Sequence, residues 1–201
     1  MIVHTPASRT ARLGLPAFHL PGGDALLGAI GPRLDDAYHY VPRVAPGGMA
    51  PLDVVVGPGG TFAITRFDER GRFRHRNEHW YRWNRSTESW APWTAERIDA
   101  IRLGARRLSL YLERATQPST VEAVVVALRG TSFEPDPDEP RAPAVGAIGA
   151  AGVAIHAVEE PDRLAETLSA EERLTAAQVD RIVALLDPRQ PLPRLAPLAP
   201  H

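Results

Sequence analysis

The most basic part of the chain, residues 66–93, mixes arginines with large aromatic residues, and all four tryptophans lie within fourteen residues. Guanidinium groups bind phosphates and flat rings stack on bases, so this composition is typical of a nucleic-acid surface. The candidate contact residues are Arg72, Arg74, Arg76, Arg82, Arg85, Trp80 and Trp83. A structural alternative is that the arginines line the solvent side of an amphipathic edge strand while the tryptophans cap the core.

A second candidate site lies at Asp53, an acid at the start of a short β-branched run. Three valines follow at 54–56, the turn signal Pro-Gly-Gly occupies 58–60, and a second apolar run begins at Phe62. Two short apolar runs separated by such a turn predict a β-hairpin. A carboxylate at the entry of the first strand is a candidate ligand for a divalent cation.

This hairpin resembles the centre of the nuclease-related domain, a bacterial family with a restriction-endonuclease-like core. The family pattern has an Asp before the first apolar run, two glycines at the turn, and a Glu-x-Lys pair that faces the Asp from the second strand. The positions that agree are Asp53, Gly57, Gly60, Phe62, Ile64 and Gly71. The resemblance extends more loosely from about Gly23 to Leu186. It implies an α/β fold with a mixed central sheet flanked by helices.

Two positions depart from the family pattern in a way that bears on catalysis. Thr65 stands at the position of the Glu and Phe67 at that of the Lys. The chain contains no lysine, because all 23 basic residues are arginines, so no ammonium group can take the role of that Lys. A hydroxyl and a phenyl ring cannot complete a divalent-cation site with Asp53. The resemblance therefore implies a degenerate catalytic site with vestigial positions Asp53, Thr65 and Phe67, and no metal cofactor.

An alternative keeps the nuclease activity through a slipped register. Asp68 or Glu69 would then supply the second carboxylate beside Asp53, with Arg70 as the cation and Asp24 as a further ligand. A β-bulge can move a side chain from one face of a strand to the other. On this alternative the protein is a Mg²⁺- or Mn²⁺-dependent endonuclease. For Asp24, however, its position at the start of a predicted helix favours the role of an N-cap over that of a metal ligand.

His75, Glu78 and His79 match the H-x-x-E-H motif of inverted zincins. That motif holds zinc only on a helix, where both histidines point to one side. The alternation around these residues predicts a strand, so we do not expect a zinc site here.

The elements that must position these residues alternate in type, as expected for an α/β domain. We expect helices from Gly22 to about Leu34, from an N-cap at Thr94 onward, over Pro161–Leu168 and over Thr175–Leu186, and strands over Val121–Leu128 and Gly152–Val158. The predicted organisation is an N-terminal arm at 1–21, one domain at 22–187 and a Pro-rich flexible tail at 188–201.

Composition narrows the function classes. The absence of cysteine excludes disulfides, thiolate metal sites and a Cys nucleophile. No segment has the length and hydropathy of a membrane span, so a cytoplasmic protein is expected.

The charges are distributed unevenly along the chain. Residues 1–133 contain 17 Arg against 12 acids, a balance of +5, whereas residues 134–201 contain 6 Arg against 12 acids, a balance of −6. This asymmetry favours one face that binds anions.

The sequence thus predicts a nuclease-related-domain-like protein that acts as a nucleic-acid-binding or scaffolding module in DNA processing. The alternatives are the active nuclease described above and a structural subunit that binds another protein through its aromatic surface. The oligomeric state is not predicted.

Overall fold

The computed structural model describes residues 1–4, 23–45, 50–77, 79–127, 129–134, 153–157 and 160–186. These residues form four α-helices and two mixed β-sheets, which confirms an α/β class. The predicted tail at 188–201 and most of the predicted arm lie outside the described residues, although Ile2–Val3 forms a short strand, β1. None of the described helices is long and apolar enough to cross a membrane.

The larger sheet has six strands in the order β1-β2-β3-β4-β8-β10. Strands β2, β3 and β4 form an antiparallel meander, β8 runs parallel to β4, and β10 runs parallel to β8. The bounds of β2, β3, β4, β8 and β10 are His39–Val44, Leu52–Gly57, Gly60–Phe67, Val121–Ala127 and Val153–Ala157.

Helices cover both faces of the six-stranded sheet, which explains why β8 is an almost continuous run of apolar residues. Helices α1 and α3 pack on one face, through Leu26, Ile30, Leu164 and Leu168. Helices α2 and α4 pack on the other, through residues that include Ile98, Leu108, Leu112, Val179 and Ile182. The helix bounds are Gly23–Ile30 for α1, Glu96–Arg114 for α2, Pro161–Ser169 for α3 and Ala176–Leu186 for α4.

The smaller sheet has four strands in the order β7-β6-β5-β9. Strands β5, β6 and β7 are antiparallel neighbours, and β9 pairs parallel with β5. Their bounds are Gly71–Arg76 for β5, His79–Asn84 for β6, Ser89–Pro92 for β7 and Thr131–Glu134 for β9. The inner side of this sheet joins the main core through a cluster of aromatic rings, namely Phe67, Phe73, Trp80, Trp93 and Phe133.

The predicted hairpin is confirmed as β3 and β4, which are joined by the two residues 58–59. At Gly59 an added Cβ would lie 1.9 Å from the main-chain oxygen of Leu168, so only glycine fits against the end of α3. The expectation that Thr94 is an N-cap is wrong. Helix α2 begins at Glu96 and Ala95 takes the cap position, without a side-chain hydrogen bond.

Candidate functional site

The outer face of the four-stranded sheet follows from strict alternation along its strands. In β5, Phe73 and His75 are buried, while the arginines between and beside them point the opposite way. Cross-strand pairing places Tyr81 beside Arg74 and Trp83 beside Trp90 on that same outward side. We call this surface the outer face; its residues are Arg72, Arg74, Arg76, His79, Tyr81, Trp83, Trp90 and Glu134.

Arginines and tryptophans stack on one another across the outer face. The guanidinium carbon of Arg72 lies 4.9 Å from the ring centre of Trp83, and that of Arg74 lies 4.3 Å from the ring centre of Trp90. The two indole rings meet edge to face, with their centres 5.4 Å apart. These distances are within the range of cation–π contacts, so the four side chains hold one another in place.

Glu134 is the carboxylate that the described residues contribute to this face. Its carboxylate accepts hydrogen bonds from Arg72 Nε and, at 3.2 Å, from Arg74 Nη2. The hydrogen bond from Arg72 is the main reason why the pKa of Glu134 lies below its ordinary value. Among the described residues the face therefore carries three arginines against one glutamate, and this glutamate partly neutralises Arg72 and Arg74.

Trp80, one of the two tryptophans expected to stack on bases, is not available for that role. Its side chain is 7% exposed and lies in the core, with ring centres 6.4 Å from Trp93 and 5.7 Å from Phe133. The prediction for Trp80 is wrong because Trp80 and Trp83 are three positions apart on one strand, and an odd separation puts two side chains on opposite faces.

The structural alternative for the arginines is correct in one respect and wrong in another. Strand β5 is amphipathic, as that alternative expected. It is not an edge strand, because it pairs with β6 on one side and with β9 on the other.

Arg82 and Arg85 do not belong to the outer face. The side chain of Arg82 points to the inner side, where Nη2 donates a hydrogen bond to the carbonyl oxygen of Arg70 at 2.9 Å. Arg85 lies in the turn between β6 and β7. Together with Arg70 they line a cleft of about 740 Å³ at the end of the sheet, which we call the arginine cleft.

The residues around Asp53 differ from the expected arrangement. Asp53 pairs with Ile64 across the hairpin, so its side chain shares a face with Ile64 and Arg66. Thr65 and Phe67 point to the other face, where Phe67 is fully buried among aromatic rings. The expectation that Thr65 and Phe67 face Asp53 is therefore wrong, because it placed the facing pair one residue too far along β4.

The Asp53 carboxylate interacts with three neighbouring residues, namely Tyr40, Arg43 and Arg66. Oδ1 accepts a hydrogen bond from the main-chain N–H of Arg43 at 3.2 Å, and Oδ2 lies 3.6 Å from Arg66 Nη2. Arg43 has a φ of 57° at the irregularity in the β2–β3 pairing, so Asp53 stabilises this bulge. Burial, followed by the negative charge of Asp53, raises the pKa of the Tyr40 hydroxyl. These contacts describe a carboxylate in a structural role.

A second carboxylate is not found beside Asp53 among the described residues. Asp68 forms an ion pair with Arg97 of α2, and Glu69 and Arg70 follow the end of β4. The side chain of Asp24, at the start of α1, is outside the described part of the structure. Within the described ranges, no group of three or more His, Cys, Asp or Glu could hold a metal ion.

The H-x-x-E-H motif does not form a zinc site of the helical type. His75 lies on β5 and His79 on β6, in a strand pair whose alternation sends the two rings to opposite faces. Glu78 is outside the described residues.

Comparisons with models of protein families, with curated proteins and with solved structures find no match for this chain. The function must therefore be inferred from the residues themselves.

Sequence reasoning missed several residues of these two sites. His79, Tyr81, Trp90 and Glu134 also belong to the outer face, and the two-residue spacing from Tyr81 to Trp83 was a signal that could have identified Tyr81. Arg66 lies next to Asp53, and counting pairs outward from the two-residue turn would have placed it there.

Proposed function

We propose that this protein is a nucleic-acid-binding module built on a restriction-endonuclease-like core whose catalytic site is degenerate. The observation that carries the proposal is the outer face, where arginines of β5 stack on tryptophans of β6 and β7 along one side of the sheet. Guanidinium groups neutralise phosphates, and the indole rings offer flat surfaces to bases.

The order of elements supports the proposed core. Helix α1 precedes the antiparallel meander of β2, β3 and β4, and helix α2 precedes β8, which runs parallel to β4. This is the order that the resemblance to the nuclease-related domain implies. Asp53 and Arg66 lie side by side at the corresponding hairpin, but Ile64 stands opposite Asp53 where a second carboxylate would be needed.

The test is binding of fluorescein-labelled DNA and RNA oligonucleotides, measured by fluorescence anisotropy over a range of salt concentrations. Affinity is expected to fall steeply with salt, because it comes from phosphate neutralisation. Removal of a stacking ring costs about 1–3 kcal/mol, so we expect Trp83→Ala to weaken binding roughly fivefold to hundredfold. Leu110→Ala, which shortens an exposed apolar side chain on α2, serves as the matched control.

Two results would overturn the proposal. Binding that is insensitive to salt, or equal in Trp83→Ala and Leu110→Ala, would contradict the role of the outer face. Nicking of plasmid DNA by the pure protein with Mn²⁺, lost in Asp53→Ala, would contradict the degenerate site. If Asp68→Ala also abolished nicking, the relocated carboxylate would be the explanation.

A further inference from the structure

The arginine cleft lies where β5 begins and β6 ends, next to the outer face. Its lining residues include Arg70, Arg82, Arg85 and Trp83, together with Gly71 and Gly130. The lining residues include three arginines and no acid. A concave surface with this charge concentrates anions, because the low-dielectric walls focus the potential of the three guanidinium groups.

The floor of the cleft is built around Arg82. Its Nη2 is held by the carbonyl oxygen of Arg70, and its guanidinium carbon lies 5.6 Å from the ring centre of Phe73. At Gly71, which has a φ of +141°, an added Cβ would lie 3.3 Å from Arg82 Nε. Gly71 also donates its N–H to the carbonyl oxygen of Gly130 at 2.9 Å. Glycine at position 71 therefore lets the guanidinium group lie against the main chain.

Arg70 and Arg85, which line the cleft, differ from Arg72 and Arg74 of the outer face in their ion pairs. Arg72 and Arg74 share the carboxylate of Glu134. Within the described residues, neither Arg70 nor Arg85 forms an ion pair with a carboxylate, although both are exposed and line the cleft. An anion bound there would relieve the repulsion between these charges and leave no acid to displace.

Trp83 connects the cleft to the outer face, since it lines the cleft and also stacks with Arg72 and Trp90. We propose that the arginine cleft binds one backbone phosphate of a nucleic-acid strand whose adjacent base stacks on Trp83. A base inside a duplex is paired and covered by its neighbours, so the ligand that satisfies both contacts is single-stranded. This inference rests on the proposed function and names the ligand class of the same surface.

The experiment measures anisotropy of a labelled single-stranded oligonucleotide and of its duplex at several salt concentrations. The variant Arg70→Ala with Arg85→Ala opens the cleft and leaves Arg82 and the main-chain contacts intact. The matched control, Arg107→Ala with Arg114→Ala, removes the same charge from exposed positions on α2. Thermal unfolding of each variant verifies that the fold is retained.

Because the two arginines share one phosphate, the cleft variant is expected to reduce the slope of log affinity against log salt by about 0.7, the value for one single-strand phosphate. At 0.1 M salt this corresponds to a loss of about fivefold. The control should keep the wild-type slope. Arg70→Lys with Arg85→Lys should keep most of the slope, because the charges remain.

The outcomes separate the two proposals. If the wild type binds single strands and Trp83→Ala weakens binding, but the cleft variant behaves like its control, the inference about the cleft is wrong and the proposed function stands. Preference for the duplex would likewise overturn the single-strand assignment alone. Absence of binding to any oligonucleotide would overturn both.

Discussion

Glu134 provides a test in which stability and binding change in opposite directions. The variant Glu134→Gln removes the carboxylate that neutralises Arg72 and Arg74, and the guanidinium groups remain stacked on the tryptophans. If the released charge neutralises one more phosphate, the salt slope steepens by about 0.7, and affinity for a single strand at 0.1 M salt rises about fivefold. The assay is anisotropy at several salt concentrations.

The same change is expected to lower the free energy of unfolding slightly, by at most about 1 kcal/mol, because partly exposed ion pairs contribute little. The hydrogen bond from Arg72 lowers the pKa of Glu134 below its ordinary value of 4.5. This stabilisation is therefore present above pH 4.5 and is lost as the pH falls through the folded-state pKa. The wild type should lose its advantage over Glu134→Gln in acid.

Glu113→Gln is the control for net charge, because Glu113 is exposed near the far end of α2. Equal affinity gains in Glu134→Gln and Glu113→Gln would mean that only overall charge matters. Weaker binding by Glu134→Gln would refute the assignment of Arg72 and Arg74 as phosphate contacts.

Two further predictions concern the six-stranded sheet. Asp53→Asn should lower the free energy of unfolding by about 1 kcal/mol, because Arg66 loses the charge of a partly exposed partner, and Tm should fall by about 2–4 °C while oligonucleotide affinity stays constant. Asp99→Asn, in an exposed pair on α2, is the control, and an affinity loss as large as that of Trp83→Ala would contradict the structural role. Burial lowers the pKa of His156 below its ordinary 6.5, so the stability it gives is complete above pH 6.5 and declines as the pH falls. In His156→Leu, chemical denaturation between pH 7 and 5.5 should show a smaller loss of stability than in wild type, and parallel pH profiles would contradict this.

Local signals were sufficient to predict the hairpin and the strand β8. The valines at 54–56 favour extended structure, and the Pro-Gly-Gly turn fixes where the chain reverses. The family pattern predicts the wrong residue opposite Asp53, namely Thr65, whereas the pairs that follow outward from the two-residue turn lead to Ile64. This difference of one residue matters because it transfers every side chain of the strand to the other face.

The composition of the outer face could be predicted more completely than its arrangement. Alternation within β5 correctly grouped Arg72, Arg74 and Arg76. The position of Glu134 could not be predicted, because β9 joins β5 by parallel pairing across about sixty residues of chain, and no local pattern encodes such a partner. The arginine cleft could not be predicted from the sequence either, since its walls come from the ends of several strands.

The aromatic cluster beneath the four-stranded sheet has a consequence for ligand binding. Phe73, Trp80 and Phe133 fix the strands from below, while the stacked guanidinium and indole groups fix one another from above. A surface immobilised before its ligand arrives loses little rotational freedom on association. Long arginine side chains usually lose much conformational entropy when a polyanion orders them. On this sheet most of that entropy is already lost when the protein folds.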